Sequence, residues 1–315
     1  VYLALTGHGI MSFTWAILAR AIVGVIAMYY VQSWDIGFSL DRKAIKLVSA
    51  IGLKFQASTV LAMFKDNIFY LSLAAYFPIH MFGLISWSKN WSQVPYMLTV
   101  QNVIAITFPA YSRIRHHKDL LQKAIQKTIF FITLSIFPIL VGMSVFIYPL
   151  TQVIEKYNKW EPAVPTFIMF TMSIAWAAIS TPLTNTLNAI GEVGTTLKLM
   201  VMWTVLTWVI TPVMIYFFGF NGVAISALII SFSSYLSIIF VKKHVKLAIW
   251  DQVWRQMIAS VVMAGVGIVF MNFWSRSLVW LITGGLLSGA SYVVTMLLVG
   301  HQKLLGEYHS LRKHV

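Results

Sequence analysis

The chain alternates long apolar runs with short polar linkers. A stub at residues 1–5 ends in the turn Gly7-His8-Gly9, and nine runs follow, over residues 10–31, 45–74, 80–110, 121–148, 164–189, 195–218, 222–241, 253–273 and 277–299. Crossing ~30 Å of hydrocarbon takes about 20 apolar residues in a helix, and each run reaches that length. The runs lack the two-residue alternation of a membrane β-barrel, so the predicted elements are membrane-spanning helices. Several exceed 20 residues and must tilt, kink or project. Pro95, Pro138, Pro182 and Pro212 fall inside runs and mark kink positions. The 45–74 run also admits a second reading, a surface helix followed by a shorter span.

Composition strengthens this picture. Of 315 residues, 59% are hydrophobic and 10% charged, against 45–50% and about 25% in soluble domains. Mean hydropathy is +0.79. These values exclude a soluble enzyme, a disordered chain and a collagen-like one. The absence of cysteine excludes disulfides and thiolate sites. The sequence begins at Val1 inside an apolar run with no basic signal-peptide start, so the expectation is an N-terminally truncated chain. The expected fold class is all-α integral membrane, a polytopic bundle of about nine transmembrane helices.

Charge then gives the predicted topology. The 23 Lys and Arg outnumber the nine Asp and Glu, for a net charge of +14. Sixteen of these cations fall in or beside alternate linkers and the C-terminal tail: Arg42, Lys43 and Lys46; Arg113, Arg115, Lys118, Lys123 and Lys127; Lys198; Lys242, Lys243, Lys246 and Arg255; Lys303, Arg312 and Lys313. The other linkers hold Lys156, Lys159 and Arg276. Cytoplasmic loops collect Lys and Arg, so the split predicts a cytoplasmic C-terminus and an external first turn. The basic linkers are then topology determinants, and nucleic acid is not needed to explain them. His116-His117 reads as linker rather than as metal ligands.

Four cations remain inside spans: Arg20, Lys54, Lys65 and Lys89. A charge facing lipid at mid-span costs about 2.5–3.5 kcal/mol on insertion scales, so these side chains are expected to face the bundle interior or a wet cavity. Asp66 is the one acid within a span, which predicts an interior net charge of about +3. At ~100° per residue, Lys54 and Lys65 share a face of one helix, and Lys89, Gln93 and Tyr96 follow i, i+4, i+7 spacing. Gln56, Asn67 and Asn90 add hydrogen-bonding groups nearby. A positive, polar interior suits an anionic solute, above all a phosphate or pyrophosphate. The competing reading of Lys65-Asp66 is a structural ion pair, and that of Lys89 a snorkelling side chain.

Other chemistry lacks its signatures. The sequence has no Gly-x4-Gly-Lys-[Ser/Thr] phosphate loop, no His-Glu-x-x-His site and no Asp-x-Asp pair. No catalytic residues, cofactor or metal are expected, and the chain is expected not to be an enzyme.

The segments Asp66-Asn67 through Phe77, Ser86-Trp87 to Pro95, and Thr107-Phe108-Pro109-Ala110-Tyr111-Ser112-Arg113 resemble the polysaccharide (O-antigen type) lipid flippases. That family shares a superfamily with the multidrug and toxin extrusion transporters and the lipid II flippases. Leu187-Asn188-Ala189-Ile190-Gly191, Phe218-Gly219-Phe220-Asn221-Gly222-Val223-Ala224 and Leu3-Ala4-Leu5-Thr6-Gly7-His8-Gly9 carry the same likeness. The resemblance implies a two-lobed transporter with a positive central cavity that receives the pyrophosphate and sugars of a polyprenyl-linked glycan. Residues 1–31 would end a truncated first lobe, 32–44 form a cytoplasmic linker, and 45–241 form the second six-helix lobe. Residues 242–300 would be two additional helices and 301–315 a basic tail.

The resulting expectation is a flippase of the cytoplasmic membrane, with Arg20, Lys54, Lys65, Asp66 and Lys89 binding substrate. Its partners are a lipid-linked glycan, membrane lipid and a coupling ion, H⁺ or Na⁺. The truncated chain is expected not to transport alone. A cation-coupled drug exporter of the same superfamily is the alternative, weakened by the single interior acid. A membrane-embedded glycosyl- or phosphotransferase ranks below it.

Overall fold

A computed structural model describes residues 11–31 and 41–312. The stub, the Gly7-His8-Gly9 turn, most of the first linker and Lys313 lie outside the described residues. The chain divides into two compact units, Val1–Ser49 and Ala50–Val315.

In the first unit, α1 spans Met11–Val31. Its described side chains are exposed apart from the buried Ser12, and most are apolar, with Thr14 and Arg20 the polar exceptions among the exposed ones. Helix α2, Arg42–Met63, begins in this unit and continues into the second.

The second unit is entirely helical among the described residues. After α2 come a π turn at Phe64–Ile68, α3 (Phe69–Tyr76), α4 (Ile79–Tyr96), a second π turn at Met97–Gln101 and α5 (Asn102–Ile114). Helix α6, Lys118–Val153, leads through a 3₁₀ segment at Glu155–Ala163 to α7, Val164–Ala189. Helices α8 (Val193–Phe218), α9 (Gly222–Phe232) and α10 (Tyr235–Lys242) follow. The chain ends with α11 (Ile249–Val269), the single turn α12 (Met271–Trp274) and α13 (Leu278–Arg312).

Among the described residues, six stretches are long and apolar enough to cross a membrane: Thr14–Val31, Lys118–Val153, Glu155–Ala189, Val193–Lys242, Ile249–Val269 and Leu278–His301. The count differs from the nine expected for two physical reasons. Val193–Lys242 holds two of the expected spans, because Gly219 takes φ +57° and folds α9 back beside α8. That left-handed conformation strains residues with a Cβ. The other two runs carry Lys54, Lys65, Asp66 and Lys89, which lower their apolarity. Both nonetheless form continuous helical rods, 42–76 and 79–114, each containing one π turn.

Helix α6 anchors the main core. Its Leu121, Ile125, Ile129, Ile132, Ile136 and Leu140 recur at helical spacing and pack with Ile174, Ala178, Leu183 and Leu187 of α7. Helices α11 and α13 join through Ala259, Met263, Tyr292 and Met296, and the Tyr292 hydroxyl donates to the Leu134 carbonyl at 2.9 Å. The outer surface is apolar as well. Val261, Val269, Val279 and Leu298 are 71%, 74%, 73% and 79% exposed. An apolar surface of this extent is stable against hydrocarbon, not water.

Side-chain hydroxyls bond between helices. Tyr111 donates to Thr128 at 2.6 Å, Ser144 meets Thr171 at 2.7 Å, and Thr211 meets Ser226 at 2.9 Å. The last pair lies where α8 and α9 pack most tightly, because a Cβ on Gly222 would run into the Met214 carbonyl. Gly222→Ala is therefore expected to destabilise the bundle by about 1–3 kcal/mol. Gly265→Ala, with open space at its Cβ, should not. Thermal unfolding of the two variants in detergent measures the difference, and equal melting temperatures contradict the tight approach of α8 and α9.

Candidate substrate cavity

The two π turns interrupt the helices that carry the interior charges. The first holds Lys65, Asp66 and Asn67. The second follows Pro95 and Tyr96, and a proline inside a helix removes one backbone hydrogen bond. A π turn adds one residue to a turn and rotates everything beyond it; such turns recur at functional sites.

A cavity of about 590 Å³ opens inside the second unit. Its wall is built by the second half of α2, the first π turn, α3, α4, α7, α8 and α9. Lys65 and Asp66 enter from the π turn, and Lys89, Gln93 and Tyr96 from α4. The Lys65 Nζ pairs with Asp66 Oδ1 at 2.5 Å. The Lys89 Nζ sits 4.2 Å from the centroid of the Tyr70 ring, a cation–π contact. The Tyr70 hydroxyl donates to Ser86 Oγ at 2.7 Å, and Ser86 donates to the Phe82 carbonyl at 2.7 Å, which fixes the ring under the ammonium. The charged wall thus carries two ammonium groups and one carboxylate.

The remaining lining is hydroxyl and amide. Ser173, Ser180, Thr181, Thr184, Asn185 and Asn188 form one stripe along α7. Thr196, Thr207, Thr211 and Ser226 extend it across α8 and α9. Tyr96 donates to Thr181 at 2.9 Å and ties α4 to the stripe. Asn188 Oδ1 and Thr196 Oγ1 are buried without a hydrogen-bond partner. The α7 stripe escaped the sequence reading, which tracked charges. Its spacing is legible in the sequence once hydroxyls are followed at helical period.

The expected site residues are not all brought together. Lys65, Asp66 and Lys89 share the cavity wall. Lys54 is exposed and outside the lining, although its neighbour Phe55 lines it. The shared face expected for Lys54 and Lys65 assumes an uninterrupted α-helix, and the π turn starts at Phe64, one residue before Lys65. Gln56, Asn67 and Asn90 are exposed and also outside the lining. Arg20 lies in the first unit, near the middle of α1, and is exposed. The expected interior charge of about +3 is therefore not concentrated here; the cavity gathers two of the four cations. Among the described residues, no cluster of His, Cys, Asp or Glu could hold a metal ion.

The arrangement offers ammonium donors for anionic oxygens and many neutral hydrogen-bonding groups beside them, inside a bundle with an apolar exterior. Three comparisons bear on it. No curated protein matches the sequence. A solved structure, "Lipid II flippase MurJ, inward closed conformation", superposes with a TM-score of 0.70 at 15% identity, over 96% of this chain and 64% of that one. At that identity the likeness is one of fold, a polytopic helical membrane fold, and this chain spans less than two thirds of the MurJ chain. The polysaccharide biosynthesis protein family matches residues 1–165, more than half the chain. The chain belongs to the polysaccharide biosynthesis protein family.

Proposed function

We propose that this chain works in a flippase that moves a polyprenyl-pyrophosphate-linked oligosaccharide across the cytoplasmic membrane. The observation that carries the reading is the pair Lys65 and Lys89 in a hydroxyl-lined cavity of about 590 Å³. Charge-assisted hydrogen bonds from ammonium groups suit phosphate oxygens, and hydroxyl and amide groups suit sugars. The headgroup crosses through this polar interior while the tail stays in hydrocarbon. Among the described residues Lys89 has an aromatic ring face and no carboxylate in salt-bridge contact, which leaves its charge for the solute. Asp66 orients Lys65 and is the carboxylate placed to carry a coupling H⁺ or Na⁺. Lys54, next in sequence to the cavity-lining Phe55, and Arg20 are the further cations assigned to the substrate in this reading. In this reading residues 45–241 form one lobe of a two-lobed transporter, 242–300 two additional helices and 301–315 a cytoplasmic tail.

The organisation of charge predicts that a membrane-impermeant amine reagent labels Lys156 and Lys159 in intact cells. Lys242, Lys243 and Lys246 should react only after permeabilisation; the reverse pattern overturns the topology. Substitution in the native cell tests the site. Lys89→Gln should lower surface-polysaccharide export at least tenfold at unchanged membrane abundance, as expected for loss of a charged hydrogen bond of about 1.5–3 kcal/mol. A Lys65→Gln/Asp66→Asn double variant separates binding from structure. If the pair only holds the fold, the neutral isosteres preserve export; if Lys65 binds the headgroup, export falls as for Lys89→Gln. Arg20→Gln and Lys54→Gln should each produce a smaller loss. Normal export from all four variants would sink the proposal.

A further inference from the structure

A second cavity of about 630 Å³ lies among α6, α7, α9, α10 and α11, and the transport cycle proposed above does not use it. Its wall is apolar, with Met172, Trp176 and Ile179 on α7, Phe232 on α9, and Met257 and Val261 on α11. Its size is that of a pocket for a small molecule.

One end of this groove is charged. Lys242 and Asp251 line it there. Lys243 and Lys246 are exposed in the same connection, and Arg255 lies one turn along α11, its guanidinium donating to the Asp251 carbonyl at 2.9 Å. Four cations stand here against Asp251 and Glu192, the latter 3.8 Å from His244 of the same connection, and this surplus favours an anionic group at this end. From Ile249 to Val261 the groove follows α11 for about 18 Å at 1.5 Å per residue. One leaflet of hydrocarbon is about 15 Å deep, half of the ~30 Å core. Near its inner reach the Ser260 hydroxyl is buried and unpartnered.

The groove is walled off from the substrate cavity. The two share no lining residue, and they use faces of α7 about 100° apart, Ser173 and Ala177 on one and Met172 and Trp176 on the other. Between them Ser173 Oγ donates to the Ala227 carbonyl at 3.2 Å, and the Trp176 and Phe232 rings meet edge to face at 5.4 Å. A lipid with its headgroup at Lys65 and Lys89 cannot place its tail here without parting α7 from α9.

We propose that this groove holds one acyl chain of an anionic phospholipid, with the phosphate at Lys242 and its neighbouring lysines. The lipid fills the seam where α10 and α11 meet α7, and it is distinct from the transported molecule. Native mass spectrometry of the purified chain tests this with phosphatidylglycerol and phosphatidylcholine of identical acyl chains. Phosphatidylglycerol should be retained over phosphatidylcholine, by about fivefold for each lysine engaged. Lys242→Gln/Lys246→Gln, both exposed positions, should abolish the preference. Ala175→Trp, which fills the groove, should reduce retention of both lipids, and Lys89→Gln should change neither. Equal retention of the two lipids overturns the proposal, as does a preference that survives Lys242→Gln/Lys246→Gln. Polyprenyl phosphate displacing phosphatidylglycerol in the wild type, but not in Lys242→Gln/Lys246→Gln, overturns it in favour of a substrate tail.

Discussion

In hydrocarbon an unpaired polar group finds no water, so each one must be satisfied by the protein or by a cavity the protein encloses. The rest of this structure depends on that constraint. Apolar side chains gain nothing by leaving lipid for one another, so the helices join through close packing and interhelical hydrogen bonds. Tyr111 with Thr128, Ser144 with Thr171 and Thr211 with Ser226 are bonds of this kind. Several of the remaining polar groups share one space. Lys65, Asp66, Lys89 and the α7 hydroxyl stripe share the polar cavity, while Val261, Val269 and Leu298 face outward.

Helix α7 shows how one element serves two environments. A helix of 3.6 residues per turn presents several faces to its neighbours. One face of α7 offers Ser173, Ser180 and Thr184 to the polar cavity, and the next offers Met172, Trp176 and Ile179 to the apolar groove. The contact of Ser173 with Ala227 seals the boundary. A polar and an apolar lining are thereby kept apart within a single layer of side chains.

The charges divide by location as well. Most of the +14 net charge lies in linkers and the tail, where it bears on orientation. Within the cavity the balance is finer. Lys65 is partly neutralised by Asp66, whereas Lys89 faces a ring. A ring quadrupole attracts an ammonium group without cancelling its charge, so the two lysines are unequal although both are mid-span cations in the sequence.

Helical class and membrane residence follow from the sequence alone, because about 20 consecutive apolar residues have no other stable arrangement. The stripe Lys89, Gln93 and Tyr96 was also legible, since α4 stays regular from Ile79 to Tyr96 and local periodicity holds. Lys54 shows where that reasoning stops. Its alignment with Lys65 required an unbroken α-helix, and a π turn intervenes at Phe64–Ile68. No local pattern announces that turn; it packs against α8, which is far away in the chain. The groove between α7 and α11 was invisible for a related reason, because its walls are ordinary apolar residues on separate helices. The sequence determined which groups cannot face lipid. Only the tertiary structure decided which of them share a space, because that depends on how helices far apart in the chain pack together.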